Sequence, residues 1–314
     1  MSALVLQRVI VRMLYDQKFA TAVYLDPEVA LKGLKLSPEE INWILAVDQR
    51  RWSIDQARSH RALEGILLYA PVSIALFIGG GGSPSHLLSF FQDPIFHTCI
   101  QRKGHLAYAF LIWLSAQLKH TPRIKRLCSI MCEIERGVIR VQHEGVEGLV
   151  LNKPTIDFTD AQSVLFTLTP RAVLLRCPEE SVTYYQIFSQ SLQQPETTPL
   201  NGLPKEVLQL KLSAEDEPLL IEYTESGCTV GAIPEGLYSL LHRCEIAPEA
   251  MWNTSLYTAI NTNRQTHHSH APEQIYRGAS LSDLCTLMSD AGVEEADALS
   301  MIKGFVDDQL IYCS

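Results

Sequence analysis

Hydrophobic residues recur at three- and four-residue steps through the first part of the chain. The first run comprises Leu4, Leu6, Val9, Ile10, Met13 and Leu14, a spacing that places one apolar stripe on a helix. Ser37-Pro38-Glu39-Glu40 combines a capping serine, a proline at the first helical position and a glutamate that completes a capping box. Later helices are predicted from near Ser53 to Pro71, over 105–118 and over 123–136. We therefore predict a helical bundle over residues 1–136.

The period changes from helical to alternating after Gly137. Val138–Gln142 and Gly148–Leu151 flank a polar turn, which predicts two paired strands. Val164–Leu168 and Ala172–Arg176 predict a second hairpin. A polar stretch with two prolines at residues 193–199 is typical of a linker, and we place a boundary near 195–203. Residues 137–200 are expected to form a β-hairpin region and linker.

The last third of the chain has its own order of elements. Strands are predicted at Val207–Leu212, Leu219–Tyr223 and Cys228–Ala232. Helices are predicted at about 235–244, 280–290 and 294–308, after a poorly patterned stretch at 245–279. Three strands followed by three helices is the layout of a small winged-helix unit over residues 201–314. The chain as a whole is predicted to be an α+β protein.

Composition excludes several classes of protein. The chain has 314 residues, 46% of them hydrophobic, and its 26 basic and 35 acidic side chains give a net charge of −9. The length favours two or three packed units, and the negative charge argues against a protein that coats nucleic acid. No apolar run reaches the ~20 residues that a bilayer requires, and the N-terminus lacks the features of a secretory signal. Eight cysteines without a Cys-x-x-Cys pair favour a cytoplasmic location.

The sequence contains no recognisable catalytic motif. Gly79–Gly82 is glycine-rich before a helix, but no Gly-Lys-Ser/Thr follows, so a loop is favoured over a nucleotide site. Cys128 and Cys132 are four residues apart, and buried apolar thiols are favoured there over a two-cysteine metal site. We therefore predict no catalytic residue and no metal site in this chain.

Three histidines, His267, His268 and His270, are the best candidates for metal ligands. They lie among Ser, Thr and Pro residues without a nearby thiol or carboxylate, and a solvated loop is the favoured interpretation. A self-sufficient metalloenzyme that uses these three residues remains an alternative.

Charge is distributed unevenly along the chain. Eight basic and two acidic residues lie between Arg102 and Arg140, a stretch that could meet an acidic partner surface or simply be solvated. Residues 280–314 contain one base, Lys303, and seven acids. A helix that reads DNA presents Arg, Lys, Asn or Gln to the bases and cations to the phosphates. The acidic third helix therefore disfavours a DNA-binding transcriptional regulator, which stays the alternative function.

A winged helix that does not read DNA can bind a peptide, because an edge strand offers unpaired backbone groups. The predicted groove has two sides. The strand side comprises Cys228, Thr229, Val230, Gly231 and Ala232, and the helix side comprises Ala298, Ile302, Phe305 and Val306. The other interpretation is that these four helix residues pack inward, as about half of them must.

Two regions resemble known families. Leu219–Tyr223, Gly236–Leu241, Leu281–Cys285 and Ala298–Ile311 together resemble a RiPP recognition element, the PqqD-like winged helix that binds leader peptides of ribosomal natural products. This chain departs from that pattern in having about 35 residues between the first and second helices. The N-terminal segments Leu4–Asp16, Leu36–Glu40 and Leu45–Asp48 are similar to helices in partner subunits of iron-dependent TIM-barrel peptide oxidases, the group that includes the methanobactin and 3-thiaglutamate maturation pairs.

These resemblances imply a function for the pair of subunits. In such pairs the iron and its ligands belong to the barrel subunit, and the partner binds a ribosomal precursor peptide. The resemblance implies a non-catalytic subunit of a heterodimer, without a cofactor of its own, that presents a C-terminal cysteine for removal of its β-carbon. It implies no binding of nucleic acid or membrane.

Overall fold

The computed structural model of the chain describes residues 3–53, 55, 57–117, 122–147, 165–194, 197–204, 207–224, 226–245 and 278–313. Helices and two small antiparallel sheets make up these residues, and the predicted α+β class is confirmed. The chain divides into two compact units. One contains Met1–Cys132 and Ser191–Leu208, and the other contains Glu133–Gln190 and Gln209–Ser314. Residues 137–200 are therefore shared between the two units.

The first unit is helical, as the periodicity predicted. Its helices are α1 (Ala3–Tyr15), α2 (Gln17–Leu25), α3 (Pro27–Ala30), α4 (Pro38–Ala46), α5 (Arg58–Leu67), α6 (Pro71–Gly79), α7 (Pro84–Leu87), α8 (Pro94–Gln101) and α9 (Leu106–Gln117). Ser37 accepts a hydrogen bond from the backbone N–H of Glu40, whose carboxylate accepts one from the N–H of Ser37, so the predicted capping box is confirmed. Short 3-10 helices at Gln49–Ser53 and Leu88–Gln92 connect these elements.

Aromatic side chains form the centre of the first unit. Phe90 lies in edge-to-face contact with Phe91, Phe96 and Phe110, with ring centroids 5.2–5.6 Å apart. Edge-to-face packing suits the quadrupoles of aromatic rings. Cys128 and Cys132 are buried in this unit as thiols, and Cys128 donates to the carbonyl of Ser73, in agreement with the favoured interpretation.

Glycines allow a close approach of two segments in the first unit. Gly202 has a φ of 76°, and a Cβ built on it would lie 2.7 Å from the backbone N of Gly79. The short 3-10 helix Pro199–Asn201 can therefore pack directly on the end of α6. The glycine run at 79–82 serves backbone packing and a turn, with Gly81 at a φ of 102°.

No single helix in the described ranges is long and apolar enough to cross a bilayer. One pair of segments, Gln49–Leu67 and Pro71–Gly79, meets the requirements of length and composition only when both are taken together, and it is bent by 113°.

Helix α10 (Pro122–Glu147) overturns the first predicted strand pair. Val138–Gln142 continues this helix and does not form a strand. Gly137, expected to mark a break, instead lies inside the helix, where a Cβ would come within 2.4 Å of the Ile221 side chain. The missing side chain allows α10 to pack closely on a sheet, and this packing outweighs the β propensity of Val138 and Ile139. Gly148–Leu151 lies outside the described residues.

The second predicted hairpin is also wrong, although both of its strands exist. Strands β1 (Leu165–Leu168) and β2 (Ala172–Pro178) belong to different sheets. The connecting Thr169 donates its backbone N–H to Leu310 and its hydroxyl to Gln309, so the connection is bound to the C-terminal segment. Strand β1 pairs antiparallel with β5 (Ala279–Ser280) and β6 (Ile311–Cys313).

The larger sheet has the order β2-β3-β4, with β3 (Asp216–Thr224) at its centre and β4 (Gly227–Ala232) at one edge. Both partners of β3 are antiparallel to it. The strand predicted at Val207–Leu212 is wrong, because Val207–Gln209 forms a 3-10 turn in which Leu208 donates to the carbonyl of Pro204. Strand β2, from an earlier part of the sequence, takes its place.

Four further helices complete the second unit: α11 (Ser181–Leu192), α12 (Glu235–Arg243), α13 (Leu281–Asp290) and α14 (Glu295–Asp307). The last three agree with the predicted helices, and Ser280 and Asp283 form a capping box at the start of α13. One face of the sheet, with Leu174 and Leu220, belongs to the core of α12, α13 and α14. The other face, with Val173 and Ile221, packs on α10 at Gly137.

His97 on α8 is a buried polar group of the first unit. Its side chain is only 6% exposed, and within the described residues neither ring nitrogen has a hydrogen-bond partner. The pKa of His97 is lowered to about 4, chiefly by burial; Arg12 and Arg8 contribute to this lowering, and Asp16 opposes it. The unfolded chain, with a pKa near 6.5, therefore binds a proton that the folded chain does not.

We predict that acid destabilises the first unit through His97. Since the folded pKa lies below the unfolded one, the free energy of unfolding should fall by about 2 kcal/mol from pH 7.5 to pH 5. His97→Leu should remove this part of the pH dependence, as measured by denaturant unfolding at both pH values. His60→Leu, at an exposed position of α5, is the control and should behave as the unchanged chain. Equal pH dependence in all three proteins would contradict the prediction.

Candidate functional site

Strand β4 is the exposed edge of the larger sheet. Its register pairs Leu219 with Ala232, Ile221 with Val230 and Tyr223 with Cys228. All six residues of β4 are exposed or half-buried. This is the strand that the sequence predicted for the peptide groove, and the structure places it at the edge that such a groove requires.

Backbone groups of β4 alternate between pairing with β3 and pointing away from it. Ile233, directly after β4, donates its N–H to the carbonyl of Pro218 on β3 at 3.0 Å. Tyr223 on β3 donates its N–H away from β4, to the carbonyl of Arg171 at 2.8 Å. In an antiparallel ladder this alternation continues at every second residue. The N–H and C=O groups of Cys228, Val230 and Ala232 therefore point outward, and no backbone partner for them exists among the described residues.

The two faces of β4 differ in character. Thr229 and Gly231 lie on the face shared with Leu220, and a Cβ built on Gly231 would meet no atom within 4 Å. Cys228 and Val230 lie on the face shared with Ile221, and both are half-buried. A strand added to this edge would meet open space on one face and an apolar border on the other.

Cys228 lies in an environment that keeps its thiol protonated. The pKa of Cys228 is raised to about 11, chiefly by burial and to a smaller extent by the carboxylate of Glu222. Burial also raises the pKa of Tyr185 on α11, with smaller contributions from Glu135 and Cys228. Because a thiolate, not a thiol, is the nucleophile, the raised pKa disfavours Cys228 as a nucleophile at neutral pH.

The helix side of the predicted groove divides into two pairs. Ala298 and Ile302 are 1% and 0% exposed and belong to the core of the second unit, together with Leu220. Phe305 and Val306 are half-buried and pack against the margin of this core. Ala298 and Ile302 therefore pack inward and leave no side-chain surface for a ligand. On the helix side, only Phe305 and Val306 keep surface that could meet a peptide.

Helix α14 and its two cap residues present five acidic side chains to solvent. Its exposed carboxylates are those of Glu294, Glu295, Asp297, Asp307 and Asp308. Within the part of the chain that the structure describes, none of them forms an ion pair. The only basic residue of the helix is Lys303. The surface around the end of the chain is therefore negatively charged.

One residue of the site was not predicted. Glu222 on β3 lies on the same face as Thr229, whose hydroxyl donates to the Glu222 carboxylate at 3.2 Å. A single acid inside the apolar run from Leu219 to Tyr223 was the available signal. Glu222 can be assigned to the site only from the strand register, which pairs it with Thr229 on the edge strand.

No metal centre accompanies this site within the described residues. Among the described residues, no group of three or more His, Cys, Asp or Glu side chains could hold a metal ion. His267, His268 and His270 lie outside the described residues.

No protein-family model matches the chain, and no curated protein is significantly similar to it.

We predict that Ile302 acts in folding and not in binding. Ile302→Ala should lower the free energy of unfolding by about 2–5 kcal/mol, because it leaves a cavity in a fully buried core. Met301→Ala, one residue earlier at a position 45% exposed, should change it by less than about 0.5 kcal/mol. Denaturant unfolding of both variants measures the difference. Similar small effects of both variants would contradict a core position for Ile302.

Proposed function

We propose that this chain is a non-catalytic subunit that binds a ribosomal precursor peptide and presents its C-terminal cysteine to an iron-dependent TIM-barrel oxidase. The observation that supports the binding role is the outward row of backbone groups on Cys228, Val230 and Ala232. An extended peptide can pair with such a row as an additional strand, and this mode of recognition gives affinity through main-chain hydrogen bonds.

The side chains on the two faces of β4 favour an extended peptide over a second folded domain as its partner. Gly231 leaves space for a side chain on one face, and Cys228 and Val230 offer a small apolar surface on the other. Side chains of an added strand alternate between these two faces. Specificity would therefore come from every second residue of the peptide on each face.

The identity of the partner enzyme rests on the resemblance of the N-terminal helices and the C-terminal unit to the families described above. In this proposal the partner subunit holds the iron, which would supply the oxidation that removes the cysteine β-carbon. This chain would hold the precursor peptide in place for that reaction. The protonated thiol of Cys228 is consistent with a binding role at this edge.

The acidic surface of α14 disfavours the alternative of a DNA-binding regulator. Five exposed carboxylates against one lysine would repel a duplex. A gel shift at low salt tests this alternative directly, since specific retardation of DNA by the full chain would support the regulator.

We predict that Val230→Pro abolishes retention of the precursor peptide. The N–H of Val230 points outward, so proline removes a donor to the added strand without removing a bond to β3. With a candidate TIM-barrel iron protein as partner subunit and a candidate precursor peptide as ligand, the affinity for the precursor should fall at least tenfold. Titration calorimetry with the purified pair of subunits measures this loss.

Val230→Ala is the matched control for this variant. It loses the same side-chain packing but keeps the backbone N–H, and its affinity should stay within about threefold of the unchanged chain. Equal binding by the proline variant and the unchanged chain would exclude β4 as the peptide site. Turnover of the precursor by this chain alone would contradict the non-catalytic role.

A further inference from the structure

Glu222 has no cationic partner among the described residues, and it lies one strand away from the open edge. It is half-buried on β3 and accepts a 3.2 Å hydrogen bond from the hydroxyl of Thr229 on β4. No ion pair with Glu222 occurs among the described residues. An acid in the middle of a sheet is less common than β-branched and aromatic residues, and a cation on an added strand would suit this position.

The geometry of an added strand places a side chain within reach of this carboxylate. Neighbouring strands lie ~4.8 Å apart, so a third strand beside β4 would lie about 10 Å from β3. Thr229 is short, and a peptide residue opposite it would share its face with Glu222. The four-carbon stem of a lysine spans most of this distance, and the glutamate side chain spans the rest.

The charge of α14 favours the same kind of peptide. Glu294, Glu295 and Asp297 lie at the N-terminal end of the helix, where the helix dipole stabilises them, but Asp307 and Asp308 lie at the opposite end, where it does not. These exposed acids lie in the same unit as β4, and a negative surface attracts cationic ligands over several ångströms. The charge of Glu222 and the charge of the α14 surface are therefore both negative, and both would attract a basic peptide.

We propose that the strand that binds β4 is basic, with Lys or Arg opposite Thr229 and an apolar residue opposite Val230. This inference rests on the proposed function, because it specifies the peptide that the same edge accepts. The basic residue would pair with Glu222 across Thr229. The apolar residue would pack beside Val230 and Cys228 on the other face.

Two labelled probe peptides test the proposal by fluorescence anisotropy with the full chain at low salt. One is acetyl-Lys-Val-Lys-Val-Lys-Val-Lys-amide, and the other replaces every Lys by Gln. The Lys peptide should bind at least about fivefold more tightly, and added salt should reduce this preference. Glu222→Gln should weaken the Lys peptide about two- to fivefold and leave the Gln peptide unchanged.

Glu217→Gln is the matched control, because Glu217 lies on the same strand with its side chain on the opposite face. It changes the net charge equally and should leave the preference intact. Equal effects of both variants would overturn the pairing with Glu222. Val230→Pro should prevent binding of both peptides, and a Lys peptide that still binds this variant would reveal general attraction to the acidic surface, which also overturns the inference.

The same measurements separate this inference from the proposed function. If both peptides bind equally well and Val230→Pro prevents binding, the edge accepts peptides and the basic strand is wrong. If neither peptide binds, both the edge site and the basic strand are wrong.

Discussion

Strand β3 is the element on which the second unit depends, because its alternating side chains enter two different cores. Leu220 packs with the helices α12, α13 and α14, while Ile221 packs on α10 where Gly137 has no side chain. Both edges of β3 are paired, so β2 and β4 become the edges of the sheet. Within the described residues the sheet has these three strands, and the outward backbone groups of β4 are a direct consequence of the position of β3.

Local signals predicted the helices well. The capping boxes at Ser37 and Ser280 require only three or four consecutive residues, and both helices begin where they were expected. The predictions were wrong where contacts between residues far apart in the sequence determine the local structure. Val138 and Ile139 resemble a strand locally but continue a helix packed on the sheet, and Thr169 resembles a hairpin turn but bonds to Leu310, 141 residues away.

The candidate site could be predicted only in part, because its strand and helix have local signals but its contacts do not. Alternation of residues and flanking turns identified β4, and the predicted helix α14 formed. Apolar spacing alone could not separate the buried Ile302 from the half-buried Phe305, because both belong to one stripe. Glu222 could not be assigned to the site without the register that places Thr229 beside it.

The most direct test of the edge as a binding site is amide hydrogen exchange, resolved by residue with NMR, in the full chain with and without the Lys-Val probe peptide. Amides that point outward exchange freely unless a partner strand protects them. Binding should slow exchange at Val230 and at its outward neighbours Cys228 and Ala232, while Thr229 and Gly231, already paired with β3, should change little. Protection confined to other parts of the chain, with β4 unaffected, would contradict the central claim.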